Sequence, residues 1–495
     1  MMNTPGSLRR RMVIAVLLMI GFYVLVFVLA GALIALPIAE VWYLHRIHPQ
    51  LALGCVIGAV VILLAAFPRS PRFEVPGPRL EPRDHPRLFA ELEGLARASG
   101  QAMPSEVYLL GDLNAWVTEQ GGRFRPGRRI IGVGLPLMQL LNVDEFRAVL
   151  AHEFGHYAGG DTRLGQVVFR TRASLERTVG ALREGDSKLS LPFQWYATAF
   201  LRITQAISRR QEFAADHFAA QHVGSDAMAG GLVKVHGHAM PYAMYWQSEA
   251  VPVLRSGFRP PLASGYQRFQ DAPDVRTSLA QVHAQDAEEQ SDPYASHPSL
   301  HDRLGALGGQ PPFTTNDPRL TLTGPSAETL LSDPDRAERA LLTFMTGTDA
   351  PALQDVAWEH VGTRVIVPAW REMTAPHHDA LGRWTLRELP DLISLGAPFG
   401  KLLNALNVPY DQRGQALAIV SAALGLRLHD AGWDIHSLPG EPITLTSAGR
   451  RVRVHDLIQG LVGGGAAAED SRYQLEQTGL IDQPLAGPVT AFTAG

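Results

Sequence analysis

The chain has 495 residues, 46% of them hydrophobic and 19% charged, with a formal net charge of −4 and one cysteine. That length exceeds one ordinary domain and implies two folded units with additions. The small, mixed charge excludes a nucleic-acid binder that works by neutralising phosphates. The lone Cys55 excludes an internal disulfide framework, a Cys-rich zinc site and a Cys–Cys redox pair. A metal, if held, must be held by histidines and carboxylates. Lys188, Lys234 and Lys401 are the only lysines, a skew that codon bias explains and from which no function is read.

The apolar residues concentrate at the start. Met12 to Leu36 carry no charge and are long enough to cross a hydrocarbon core of about 30 Å. Leu51 to Phe67 form a second uncharged run at the short end of a spanning helix. A cleaved signal peptide would have a shorter apolar region and no second span directly behind it. Residues 1–67 are therefore expected to be a tail and a transmembrane hairpin, with spans at about 12–36 and 51–67. Arg9, Arg10 and Arg11 precede the first span, and Arg69, Arg72, Arg79 and Arg83 follow the second. Both ends then favour the cytoplasmic side. The expectation is a multi-pass protein of the cell (inner) membrane, embedded in the lipid bilayer, with everything after the hairpin in the cytoplasm. Cys55 lies inside the second span, where a small apolar role fits best. The later apolar stretch 189–207 is interrupted by Pro192, Gln194, Arg202 and Gln205 and reads as an amphipathic or core helix.

Residues 68–85 are rich in Pro and Arg and read as an extended linker. Helical patterning begins near His85 with Leu88, Leu92 and Leu95. Three strand-like pieces follow, at 107–110, 115–118 and 129–133, and then mostly helix to about residue 245. Pro and Gly clusters put a linker at 309–333. The expected fold is mainly α with a small β-sheet (α+β). In this division residues 86–308 form one folded domain, 334–480 a mixed C-terminal domain of unassigned role, and 481–495 a tail. Within the C-terminal domain helices are expected near 334–346, 352–360, 399–407 and 413–428. Ile443–Leu445 and Val452–Val454 flank Ser447-Ala448-Gly449 as a hairpin. The Gly/Ala-rich residues 463–468 point to a loose tail.

The informative segment is 142–157, NVDEFRAVLAHEFGHY. Asn142 can cap a helix, and Glu145 three residues on completes a capping box. Phe146, Val149, Leu150, Phe154 and Tyr157 repeat at helical spacing, and Gly159-Gly160 ends the run. His152 and His156 are spaced i, i+4, so both imidazoles project from one face. Glu153 sits beside them, giving the H-E-x-x-H zinc pattern. The metzincin extension needs a third histidine at 162, which is Thr, so that route fails. A second class draws a glutamate from a later helix. Ser208–Asp216 (SRRQEFAAD) offers Glu212 and Asp216 on one face, with small Ala214 and Ala215 to let helices approach. Glu212 would coordinate the metal, and Asp216 would accept from the distal N–H of a ligand histidine. Taken alone, these two carboxylates also fit a solvated helix face paired with Arg209.

With both motifs in hand, the chain resembles the HtpX-like and CAAX prenyl endopeptidase-type integral-membrane zinc metallopeptidases. Asn114-Ala115-Trp116 looks like that family's Asn-Ala-Phe edge-strand motif, with Trp replacing Phe. His297-Pro298-Ser299-Leu300-His301-Asp302-Arg303 looks like its His-Pro segment ending in arginine. The resemblance covers residues 86–308. It implies a zincin-type peptidase domain with one Zn2+ per chain on His152, His156 and Glu212, and Glu153 as the catalytic base. It further implies His297 as an oxyanion donor, with Arg303 a second donor or, like Asp216 and Arg209, a support for the ligands. Asn114, Ala115 and Trp116 would bind substrate backbone by strand addition. The chain departs from the family in its two clear spans and its long C-terminal region. The expected function is a membrane-anchored zinc endopeptidase acting on unfolded or membrane proteins and peptides, in quality control or processing. The competing class is a membrane-tethered binding or scaffold protein with an idle or structural metal site. A structural zinc site, however, uses four protein ligands and needs no Glu153.

Overall fold

In the computed structural model the described residues are 5–66, 74–120, 128–158, 190–288, 298–314, 316–347, 352–394 and 397–487. They are mostly helical with small sheets. The chain divides into two compact units, Met1–Ala239 with Val282–Thr348, and Met240–Gln281 with Asp349–Gly495. The linker expected at 309–333 thus lies inside the first unit, and residues 240–281 belong with the C-terminal region.

The first unit opens with two antiparallel-ready helices, α1 (Pro5–Leu44) and α2 (Pro49–Ala66). Both are long and apolar enough to cross a membrane. Val24, Phe27, Val28 and Leu64 on their surfaces are more than half exposed, which suits a hydrocarbon surround and not water. Phe22, Val26, Ile62 and Ala66 are buried between them and a third element. That element is the N-terminal half of α6 (Ser190–His222), whose Phe193 and Phe200 are fully buried in the same cluster. The Tyr196 hydroxyl donates to the Leu18 carbonyl. Gly21 makes room for it, since a Cβ there would lie 2.6 Å from that oxygen. The interrupted apolar stretch 189–207 is therefore mostly one half of a longer helix, packed on the hairpin. Its opposite side leaves Leu191 and Trp195 exposed.

Behind the hairpin, β1 (Arg79–Leu80), α3 (Pro86–Ala98), β2 (Glu106–Leu110), β3 (Ala115–Gln120) and β4 (Arg128–Gly134) build one sheet and its covering helix. The strand order is β1-β2-β4-β3, with β2 parallel to β4 and β3 antiparallel to β4 on the outer edge. The stretch read as an extended linker, 68–85, thus contains a strand: Arg79 pairs with Tyr108 and Leu80 with Val107. Two residues among prolines give no alternating pattern, so only the partner strand reveals it. α3 buries Leu88, Phe89, Leu92 and Leu95. A short helix, α4 (Leu135–Leu140), leads into α5 (Val143–Ala158). The capping box at its start forms as expected: Glu145 N–H donates to Asn142 Oδ1 and Asn142 N–H to Glu145 Oε2, both at 2.9 Å. After α6 come α7 (Ser225–Tyr245), α8 (Leu300–Ala306) and α9 (Pro334–Thr346).

The second unit has its own core, which includes Leu381, Leu402, Leu424, Leu445, Leu457 and Leu475. The expected hairpin is a two-residue turn between Thr444–Ser447 and Arg450–Arg453. Ala448 and Gly449 at φ 48° and 78° give it the primed geometry that suits strand twist. Two expectations are corrected. Residues 352–360 hold a two-residue strand, Gln354–Asp355, before a short helix at Trp358–Val361. Residues 463–468 are not a loose tail. Gly464 and Gly465, both at positive φ, reverse the chain between helices Val454–Gly463 and Gly465–Gln477, and Leu475 is fully buried.

Gly425 sits where the Trp370 ring lies against helix Arg413–Asp430, and a Cβ there would fall 2.4–2.9 Å from ring carbons. Gly425→Ala should destabilise the second unit by about 1–3 kcal/mol through overpacking. Its melting curve against wild type measures this, and an unchanged curve would contradict the packing described.

Candidate metal centre

Helix α5 presents His152 and His156 from one face, with their Nε2 atoms 3.1 Å apart. Helix α6 crosses α5 at its smallest residues. A Cβ on Gly155 would lie 3.0 Å from Ala215 Cα and 3.3 Å from Ala215 Cβ, so Gly155 is what lets the two helices touch. Ala215 is buried in that contact, whereas Ala214 faces outward. The crossing brings the buried Glu212 to the two imidazoles. One carboxylate oxygen is 3.5 Å from His152 Nε2 and the other 4.0 Å from His156 Nε2. Donors bound tetrahedrally to one zinc at about 2.0–2.1 Å would be about 3.3 Å apart, close to these separations. Donor atoms of His152, Glu153 and His156 also all lie within 4.8 Å of one another, a group that could hold a metal ion.

Behind the imidazoles, Asp216 is 1% exposed. Its Oδ1 is 2.9 Å from His152 Nδ1, which fixes the ring with Nε2 turned toward Glu212. Arg303 on α8 grips the same carboxylate with two hydrogen bonds, Nε to Oδ2 at 2.8 Å and Nη2 to Oδ1 at 2.6 Å. Its Nη2 also lies 3.5 Å from Glu212. Arg303 therefore acts from behind the donors, supporting Asp216, and its Nε and Nη2 are committed there. Burial alone would raise the Asp216 carboxyl, but the hydrogen bonds from Arg303 and His152 outweigh it and hold it below the usual range. Burial, reinforced by the neighbouring His152, lowers the His156 imidazole to about 4. The ring is thus neutral at neutral pH.

Glu153 is pushed up by burial and by Glu212, against the pull of His152, Arg303 and the Val117 backbone N–H, which donates to it. That last bond ties the helix to the edge strand. The Asn114 carbonyl accepts from Gly134 N–H at 2.8 Å, which fixes the alternation along β3. Trp116 and Thr118 then bond toward β4, while Ala115 and Val117 direct their backbone groups to the open edge. The Trp116 ring lies across Gly132, where a Cβ would come within 2.6–2.7 Å of ring carbons.

The remaining expectations divide. His297 and Gly159-Gly160 lie outside the described residues. Arg209 lies about one turn before Glu212 on α6, half-buried. His217 and His222 are exposed, and His238 is buried with Nε2 donating to the Leu320 carbonyl, a packing role. Sequence reasoning missed Lys234, which is buried against Glu145 at the start of α5. Its only signal was a lone lysine in an apolar stretch of an arginine-rich chain.

Residues 82–310 match the family model described as Peptidase family M48. A "Protease HtpX homolog" of Tropheryma whipplei (strain TW08/27) is 28% identical over 199 residues, covering 35% of this chain and 67% of that protein. "Protease HtpX" of Idiomarina loihiensis is 31% identical over 162 residues, covering 29% and 55% respectively. "Protease HtpX" of Escherichia coli K12 (DH10B) is 30% identical over 164 residues, covering 28% and 55%. No solved structure matches the chain. The matched domain is a metallopeptidase domain of family M48. The chain is similar to the HtpX proteases over about half to two thirds of their length. Residues 311–495 lie outside the matched segment.

The histidine shift sets a pH dependence for the metal-free protein. His156 has a folded value of about 4 against 6.5 for an ordinary histidine. Between these values the unfolded chain binds a proton that the folded chain refuses. Stability is therefore complete above about pH 6.5 and falls as the pH drops toward 4. Melting of chelator-treated protein from about pH 7.5 to 4.5 should show that decline, and His156→Gln should flatten it. An equal decline in the variant would refute the assignment.

Proposed function

We propose that this chain is a membrane-anchored zinc endopeptidase, with zinc held by His152, His156 and Glu212. The observation that carries this reading is the convergence of two imidazole Nε2 atoms and the Glu212 carboxylate within 3.1–4.0 Å, on a chain whose domain belongs to a metallopeptidase family. Three non-cysteine ligands leave one coordination position open, as catalytic sites require. Bound zinc supplies Lewis acidity toward the scissile carbonyl and makes water a nucleophile near neutral pH.

The chain's own groups supply the rest. Glu153 accepts the proton of the attacking water and returns it to the leaving amine, and its raised pKa suits both transfers. Asp216 and Arg303 keep His152 oriented throughout. A substrate strand adds to the open edge of β3 at Ala115, flanked by Asn114 and Trp116, which favours extended or unfolded peptide over folded domains. His297 is the proposed oxyanion donor, on the family resemblance alone. The substrates proposed are unfolded or membrane-derived proteins and peptides, in quality control or processing.

The hairpin is proposed to cross the cell (inner) membrane twice, with both ends and the peptidase domain on the cytoplasmic side, from the arginines flanking it. A reporter fused after residue 80 should behave as cytoplasmic. Extracytoplasmic behaviour would reverse the topology.

The chemistry is tested on unfolded casein. Glu153→Gln should bind zinc near stoichiometrically while losing about 10²–10⁴-fold in turnover. Chelation should abolish wild-type cleavage, and added zinc should restore it. Zinc-loaded wild-type protein that leaves casein intact, alongside an equally inert Glu153→Gln, would end the peptidase reading.

A further inference from the structure

Lys234 is one of three lysines among 44 basic residues, and it is 1% exposed. Its Nζ donates to both oxygens of the buried Glu145, at 2.8 and 2.6 Å. The socket for that carboxylate is made of glycine. One turn before Lys234, a Cβ on Gly230 would fall 2.7 Å from Glu145 Oε1. A Cβ on Gly231 would meet Val149 at 3.1 Å and the Glu145 carbonyl at 3.3 Å.

Glu145 does two things at once. Oε2 accepts from Asn142 N–H and completes the cap of α5, while both oxygens take Lys234. The first turn of α5 is thereby fastened to α7. That helix follows α6 after a break of two residues at Val223-Gly224, so it is joined directly to the element that carries Glu212 and Asp216. His152 lies about two turns, roughly 10 Å, along α5 from Glu145. The two halves of the donor set are thus joined twice, by the His152–Asp216–Arg303 network at the centre and by Glu145–Lys234 at the far end.

A buried ion pair is a poor device for stability alone, because desolvation consumes most of its attraction and an apolar pair of similar size often does as well. What it supplies is a fixed geometry. We propose that Glu145 and Lys234 are positioning residues for the metal centre, setting the register of α5 against α6–α7 so that His152 and His156 meet Glu212. The proposal rests on the ligand set proposed above.

The test uses the full chain in detergent, with Co2+ as the metal probe. The double variant Glu145→Gln/Lys234→Met removes both charges, keeps an acceptor for the cap and approximates the volume. It should melt close to wild type, because the paired replacement leaves no buried charge alone. Its Co2+ affinity should fall about tenfold, with an altered cobalt absorption spectrum and a similar loss in kcat at unchanged KM. Lys234→Met alone should lose both stability and Co2+ affinity. A double variant that binds Co2+ and turns over as wild type does would overturn the proposal. One that fails to fold would also overturn it, because the pair would then hold the fold and not the site. Wild-type Co2+ binding that survives His156→Ala would instead remove the ligand reading, and the proposal with it.

Discussion

One buried carboxylate, Asp216, holds the centre together. It joins three helices distant in sequence: α6, on which it sits, α5 through His152, and α8 through Arg303. Left alone at 1% exposure it would be a costly charge. Two hydrogen bonds from a guanidinium and a third from an imidazole turn that cost into orientation. His152 is held with Nε2 forward, and Arg303 is drawn close enough to reach Glu212 as well. The donors converge because their supports do.

Helix α6 shows how one element serves two environments. Its first half is apolar on opposite faces, with Phe193 and Phe200 packed on the hairpin and Leu191 and Trp195 exposed. Its second half carries Glu212 and Asp216 toward α5. A continuous helix therefore runs from the hairpin to Glu212 and Asp216, so the hairpin is part of the scaffold that places Glu212.

What was legible in the sequence follows from how local each interaction is. His152 and His156 could be read because i, i+4 spacing sets their geometry within a single helix, and the Asn142–Glu145 cap is local in the same way. Glu212 required knowing that some zinc sites borrow a later glutamate, since 56 positions separate it from His156. Arg303 could be named only through resemblance. Lys234 could not be read at all, because its partner lies 89 positions away and nothing local marks a lysine as buried. The same reason hid β1, a two-residue strand defined by β2, and the 240–281 segment, whose unit is fixed by tertiary packing. The Gly/Ala run at 463–468 misled for a different reason: flexible composition also suits a tight reversal when its neighbours are anchored.

Gly155 marks where local and distant reasons meet. In the motif it looks like a filler between Phe154 and His156, yet its missing side chain is what admits Ala215 and hence Glu212. Glu153, two residues before it, is tied the other way, to the Val117 N–H on the open edge of β3. On the proposed reading, an added peptide strand would pair with Ala115, next to the residue that anchors the base. Substrate alignment and base placement would then depend on the same two residues of backbone. A shift of β3 would disturb both together, which is why Gly132, holding Trp116 flat against the sheet, bears on chemistry as well as on packing.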